Sequence, residues 1–465
     1  MNIRYWLFQK GWVVILPIIL AILAIWVWPG LHVPPLVVGE SSQALYLLSA
    51  IAQSLAAILA LVFTVSLITF QLSARYSQRV IGQFFNKFTI TYIVVFVISI
   101  LLPLWTIMEP DYYRVKVCLS LAGVSVLLLI PYFLDLRERL SPEKMLLDLR
   151  RKTLKIIGTK PTKCPEEIVT LDNFVMSAFA SKDYETYRVG VDTLARLAYE
   201  ADKQGRSERD EDKDGKSYSN FELSKHIYEI LEDIASSTLD DPRVPGQITS
   251  AIWRSAITGI QEGLGDCAEA AVIRLEFIAL QSAQRGNDGA TERALTLLRS
   301  IGMEAAKRNI NTSGPESESL TECCLDAIAA LGQEAINTGL RESIAESVNS
   351  VSSIAESCVE IGNLEIPAKC LNVLSAIVRK APSELLTEGF GSTACRRLIR
   401  LGILFTVHQC EEEQNEAVSQ LKYLEANVGS GRVKFMFDFD SKRWSDKWEK
   451  QIIQFRELYY ISSGE

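Results

Sequence analysis

Three histidines, nine cysteines and a few acidic runs are the side chains through which this 465-residue sequence could do chemistry. Their spacing argues against most of it. His32, His226 and His408 lie far apart in the chain. His408-Gln-Cys410 comes nearest to a metal-binding pair, but no C-x-x-C accompanies it, so the pattern does not make a zinc site. Cys118, Cys164, Cys267, Cys323, Cys324, Cys358, Cys370, Cys395 and Cys410 are odd in number and irregular in spacing. They sit mostly beside Ala, Leu and Val, which suits free thiols packed as small hydrophobes in a reducing compartment, the adjacent Cys323 and Cys324 included. Asp210-x-Asp212-x-Asp214-Gly215 opens like a calcium loop, yet its twelfth position is Phe221 and Glu222 falls one residue late. Gly205 to Asn220 therefore reads as a charged, solvated linker. Glu411-Glu-Glu413 reads as a solvated face, and Gly429-Ser-Gly431-Arg432 as a turn too weak for a phosphate site. Neither G-x-x-x-x-G-K-[ST] nor G-x-S-x-G occurs. The expectation is a protein that is no enzyme and uses no metal or cofactor. What remains is a different kind of polar residue: Ser49, Gln53 and Gln71, set within apolar surroundings.

Those surroundings organise the chain. Mean hydropathy is +0.14 although 22% of residues are charged, so the apolar residues must be concentrated. They are: long apolar runs dominate up to Leu134, and ordinary polarity follows. The net charge of -8 argues against nucleic acid as a partner. A hydrocarbon core of about 30 Å needs roughly 20 apolar residues in a helix. Four segments qualify, near Gly11 to Trp28, Ala44 to Leu72, Ile90 to Met108 and Val115 to Leu134, none with an interior charge. The first lacks a small-residue cleavage site and ends in Trp26-Val-Trp28-Pro29, so it reads as a retained span rather than a signal peptide. Trp6, Trp12, Trp26, Trp28 and Trp105 fall near the expected membrane interfaces. Arg4 and Lys10 precede the first span, and no Lys or Arg occurs in Pro29 to Ser42. Arg75, Arg79 and Lys87 follow the second, the short loop Glu109 to Arg114 is mixed, and Arg137, Arg139, Lys144, Arg150, Arg151, Lys152 and Lys155 follow the fourth. This alternation places both termini in the cytosol. In the mixed loop, Glu109, Asp111 and Arg114 are expected to pair with one another.

The second span carries the most information. About 29 residues would run roughly 43 Å at 1.5 Å per residue, so it must tilt or project from the hydrocarbon. Ala52, Ala56, Ala60 and Thr64 recur at every fourth position, a small-residue ridge that lets another helix approach closely. Ser49, Gln53 and Gln71 lie on or near the same side. The ridge serves either packing within the four-span unit or a subunit interface, and the polar trio either a polar core or a pore lining. An ion-coupled pump would more naturally place Asp, Glu or His there. The following Tyr76 to Phe88 interleaves basic and aromatic residues, with Arg75, Arg79, Phe84, Phe85 and Lys87 as its anchors, and reads as a helix on the cytosolic membrane surface rather than a plain connection.

On these residues the chain resembles a known family. Phe63-Thr-Val-Ser-Leu-Ile-Thr-Phe-Gln71-Leu-Ser-Ala-Arg-Tyr76-Ser77-Gln-Arg79-Val is similar to the second helix and following loop of prokaryotic predicted membrane proteins known as domain of unknown function 2254, and Trp6 to Leu23 with Pro17 also fits. The resemblance covers roughly the first 140 residues. Gln78 stands where the family usually has Pro, and Ile234 to Pro242 is only a weak echo of a downstream family segment. The resemblance implies a fold and no activity.

Beyond Ser141 the period is helical and a half-motif recurs: apolar, two residues, apolar, small, two residues, small, then Gly or Asn. It appears as Leu194-Leu197-Ala198-Ala201-Gly205, Leu275-Ile278-Ala279-Ser282-Gly286, Leu298-Ile301-Gly302-Ala305-Asn309, Ile328-Leu331-Gly332-Ala335-Gly339 and Val351-Ile354-Ala355-Cys358-Gly362. Leu374-Ile377-Val378-Ala381 is a shorter copy ending at Pro382. A spacing of 23 residues recurs, from 275 to 298, 328 to 351 and 351 to 374. Stacked antiparallel helices of an α-solenoid fit this, with a helical bundle as the alternative. Arg432 to Asp440 alternates like a strand, and Trp444, Trp448, Ile452, Phe455 and Tyr459 then form a helical stripe, either docking on the preceding helices or binding a partner.

The expected architecture is all-α, with a four-helix transmembrane domain over 1–140 and a cytosolic helical domain behind it. The latter divides into a membrane-proximal region (141–205), a charged flexible loop (206–220), a solenoid-like or bundled region (221–430) and a strand-like segment with a C-terminal amphipathic helix (431–465). The expected function is an oligomeric scaffold or sensor of a prokaryotic plasma (inner) membrane. Its array would bind a cytosolic protein partner, and its partners would be the lipid bilayer and other copies of itself, not nucleic acid. The alternative is an oligomeric ion channel lined by the second span.

Overall fold

The computed structural model describes residues 41–74, 87–108, 112–130, 132–134, 142–157, 165–211, 218–241, 244–308, 319–363, 365–387 and 389–463. They form seventeen helices and no strand. The chain divides into two compact units, one of residues 1–148 and 173–186, the other of 149–172 and 187–465.

In the first unit, α1 (Ser41–Ala74), α2 (Lys87–Thr106) and α3 (Tyr112–Leu127) pack pairwise. Leu55, Val62, Tyr92, Phe96, Ala122 and Tyr132 make their shared core. Large apolar side chains point outward as well, among them Leu61 at 64% and Trp105 at 73% exposure. Such a surface is out of place in water and natural in lipid. Four spans were expected. Among the described residues two stretches are long and apolar enough to cross a membrane, Ser42–Ile68 and Arg114–Leu134. The third expected span forms α2, whose apolar part, Tyr92–Thr106, is shorter. At 1.5 Å per residue that part rises only about 22 Å, less than a hydrocarbon core. The first expected span, and Arg75, Arg79, Phe84 and Phe85 of the expected surface helix, lie outside the described residues. Lys87 of that set begins α2. α1 is longer than the sequence suggested, 34 residues, or about 51 Å.

The connecting helices are α4 (Pro142–Ile157) and α5 (Pro165–Ala180). The second unit continues with α6 (Tyr184–Glu211), α7 (Tyr218–Thr238), α8 (Pro245–Glu262), α9 (Gly265–Gln284), α10 (Asp288–Arg308), α11 (Leu320–Thr338), α12 (Arg341–Glu360), α13 (Glu365–Lys380), the short α14 (Ser383–Thr387), α15 (Phe390–Val407), α16 (Glu411–Val428) and α17 (Ser430–Ser463). Helices pack against their neighbours in sequence and against the next but one: α8, α10, α12, α15 and α17 stack in one row, and α7, α9, α11, α13 and α16 in the other. This two-row ladder is solenoid-like rather than bundled.

The half-motif explains the stacking. All four packing positions of all six copies are buried. Its small position is a hole. A Cβ added at Gly302 of α10 would lie 2.7 Å from Cδ1 of Ile354 of α12, and one at Gly332 of α11 would lie 3.0 Å from Cδ1 of Ile377 of α13. At Gly402 of α15 it would lie 1.9 Å from the ring of Phe455 of α17. Each hole thus takes a large side chain from the helix two further along. The stops work as expected at Gly286, Gly339 and Gly362, with φ of 75°, 74° and 82°, a region that favours glycine. α12 is capped from a distance: Leu340 offers no side-chain cap, and Asp288 of α10 accepts from the backbone N–H of Ser343 (2.9 Å) and Glu342 (3.2 Å) instead.

Two expectations fail here. The strand-like Arg432 to Asp440 lies wholly inside α17. Val433 and Met436, three apart, are buried together while Phe435 stays 60% exposed. A lone strand would leave backbone groups unpaired, whereas a helix satisfies its own. The charged segment 206–220 is not all loop: α6 runs through Gly205 to Glu211, and 212–217 lie outside the described residues. Gly within a helix costs only about 1 kcal/mol relative to Ala, so it does not force a stop.

Candidate functional site

α1 sorts its residues at 100° per residue. Ala44, Leu48, Ala52, Leu55, Val62 and Ser66 are buried on one side. Gln53, Ala56, Ala60, Thr64 and Gln71 are exposed on another, and Ser49 is half-buried at its edge. The expected ridge therefore splits: Ala52 serves packing within the unit, while Ala56, Ala60 and Thr64 face away from it. Gln53 and Gln71 are eighteen residues apart, five full turns, and so share a side. Gln53 lies two residues from the middle of the apolar stretch Ser42–Ile68. Its amide Nε2 donates to Ser49 Oγ at 3.2 Å, and Thr64 Oγ1 donates to the Ala60 carbonyl at 2.8 Å. One amide N–H of Gln53 and a hydroxyl are thereby satisfied locally, but the Gln53 carbonyl oxygen still needs protein or water around it in lipid.

A second feature escaped the sequence reading. Tyr92, Ser99 and Thr106 of α2 recur every seven residues, as do Cys118, Ser125 and Tyr132 along α3 and its continuation. Antiparallel packing pairs them in order. Tyr92 and Tyr132 stack with centroids 4.5 Å apart, Ser99 and Ser125 hydroxyls share a hydrogen bond of 2.6 Å, and Thr106 Oγ1 lies 3.4 Å from Cys118 Sγ. All six are buried. Ser66 of α1 joins at one end through a 2.8 Å hydrogen bond with Tyr132 OH. The Tyr92 hydroxyl is buried without a hydrogen-bond partner. Fourteen residues of helix carry this polar seam about 21 Å along the helices. It fixes the register of α2 against α3, because a one-residue slide would separate every pair. The signal was present as a heptad of hydroxyls, but attention to charge passes over it.

Among the described residues of the array, ion pairs join successive helices of a row. Arg254 pairs with Asp192 and Arg274 with Glu232. Arg299 pairs with Glu346 at 2.8 Å and Arg400 with Glu356 at 2.8 Å, and Lys369 pairs with Glu322. Each joins a helix to the next one in its row. Burial nevertheless lifts the Glu356 carboxyl above the usual range, against its two arginines. At the α9–α11 step burial, then the Asp326 carboxylate, raise the Glu276 carboxyl. One enclosed cluster centres on Tyr228, whose OH lies 2.8 Å from Ser255 Oγ and 3.5 Å from Cys267 Sγ. Burial pushes the Cys267 thiol up to about 12, which removes the thiolate a nucleophile needs. Cys118, Cys267, Cys324, Cys358, Cys370 and Cys395 are buried free thiols, as small hydrophobes would be. His408 ends α15, and the Cys410 thiol beyond it lies 3.7 Å from the His408 carbonyl. Asp210 lies in the last turn of α6, and Asp212 and Asp214 lie outside the described residues.

Comparison with known proteins adds three findings. A family described as "Predicted membrane protein (DUF2254)" matches residues 3–238. No curated protein matches the chain. A solved structure described as a circular tandem repeat protein with novel repeat topology and enhanced subunit contact surfaces aligns with 86% of this chain and 98% of its own at 14% identity and a TM-score of 0.41. That score is too low to carry an argument about fold or assembly.

Proposed function

The chain belongs to the DUF2254 family of predicted membrane proteins, and from that premise we propose that it is a multi-pass, homo-oligomeric scaffold or sensor without catalytic chemistry of its own. In this reading both termini face the cytosol of a prokaryotic cell. The helical array presents its two-row surface to a cytosolic protein partner, and α1 supplies the face on which subunits meet. The observation that carries it is the exposure of Gln53 beside Ala56, Ala60 and Thr64 near the middle of the longest apolar helix. An amide whose carbonyl oxygen needs a partner is costly at that depth in lipid, and small residues beside it admit a neighbouring helix.

The test is the mass of the protein in lipid nanodiscs, read by native mass spectrometry. The wild type should be an oligomer, and Ala60→Trp, which fills the approach, should shift it to smaller species. A monomeric wild type would sink the proposal. The common side of Gln53 and Gln71 also favours the second reading, a pore ringed by α1. In planar bilayers Gln53→Leu should then change conductance; silence under varied voltage and ions leaves the scaffold.

A further inference from the structure

α4 runs against the charge of the chain. It carries Lys144, Arg150, Arg151, Lys152 and Lys155 against Glu143 and Asp148, five positive less two negative, or +3, in a protein of net charge -8. Helical spacing sorts these residues. Met145, Leu146, Thr153 and Ile157 are buried on one side. Lys144, Leu147, Arg151, Lys152 and Lys155 are exposed on the opposite side, with Asp148 the one acid among them.

The position of α4 in the chain restricts what that face can meet. Seven residues separate the end of the apolar stretch Arg114–Leu134 from Pro142. Eight Cα steps span at most about 29 Å. If Arg114–Leu134 crosses the bilayer, as the proposed function holds, α4 must begin within that reach of the headgroups.

We infer that the exposed basic face of α4 docks on anionic phospholipid headgroups of the membrane its own chain enters. Cations on this side of a final span meet a negative surface potential, and each is worth roughly a five-fold gain in association. Leu147 sits among the cations, where an interfacial helix places an apolar side chain into the boundary between headgroup and acyl chain. Charge complementarity and tethering thus point to the same occupant.

Acylation of lysines in the full-length protein, read by mass spectrometry, tests this in nanodiscs of phosphatidylcholine with or without phosphatidylglycerol. Lys144, Lys152 and Lys155 should label at least five-fold more slowly in anionic discs, and 0.5 M salt should remove the protection. The exposed Lys307 and Lys380 of the array should label alike in both. Arg151→Glu leaves all three reporters in place and should restore most of their labelling. Equal labelling in the two lipids would overturn the docking. So would protection by inorganic phosphate in discs of phosphatidylcholine alone, or by added RNA, since either would show an occupant other than the bilayer. A chain that enters neither disc would remove the membrane reading itself, whereas entry with lipid-independent labelling removes only the role of α4.

Discussion

The membrane unit and the array solve the same packing problem beneath different surfaces, apolar on the first and charged on the second. In α1 to α3 the hydroxyls of Ser66, Ser99, Thr106 and Ser125 are inside, and Leu61, Phe63 and Trp105 are outside. In the array Ile354, Ile377 and Phe455 are inside, and pairs such as Arg299 with Glu346 lie toward the outside. The contrast follows from the solvent. Water draws apolar side chains together, so the array can rely on size and shape. Lipid gives no such drive, and helices in it rely on close approach and hydrogen bonds. One unit is therefore set by where a side chain fits, the other by which polar atoms meet.

This contrast can be broken or sharpened by substitution. The largest effect should come from the deepest knob. Phe455→Ala empties the hole over Gly402 and should cost about 4 kcal/mol, seen in denaturant unfolding and as release of α17 to protease. Gly402→Ala, from the other side of the same contact, should cost about 2 kcal/mol by overpacking. If both left the array unchanged, shape would not be what holds it. Asp288→Ala, which removes the shared cap of α12, should cost about 1 kcal/mol, with faster hydrogen exchange at Glu342 and Ser343 as its local sign. A double-mutant cycle of Ser99→Ala and Ser125→Ala should return a coupling of about 0.6 kcal/mol in detergent or lipid; a coupling near zero would mean that the seam does not set the register.

The smallest effect concerns pH. Burial, then Asp326, raise the Glu276 carboxyl in the folded state. The fold thus favours the protonated acid, so this group's contribution is present below the ordinary carboxylate range and is lost as pH rises through the raised value. Glu276→Gln should flatten that part of the pH dependence and leave the array more stable than the wild type at pH 7. A steeper fall in the variant would contradict the assignment.

Much of this was legible in the sequence where one residue type has one job. The half-motif gave the buried face and, at Gly286, Gly339 and Gly362, the stops, because a left-handed position favours glycine. Gly205 misled, because nothing at that point requires the helix to end. The alternation Val-Lys-Phe-Met-Phe after Arg432 misled because a short apolar run cannot tell strand from helix without its partner. The exposed face of α1 was visible as small and polar residues at helical spacing, yet only packing could separate Ala52 from Ala56. The cap at Asp288 and the hole at Gly402 join residues dozens of positions apart, and no local pattern announces them.

The ladder of α6 to α17 has a mechanical corollary. Among the described residues each helix packs chiefly against those one to three places away in the chain. A pull on one end is divided among many joints in series, each yielding by a small rotation, and the stack extends as a spring does rather than turning as a lever. Its stiffness falls as helices are added, which makes length itself the quantity by which such a chain could be tuned.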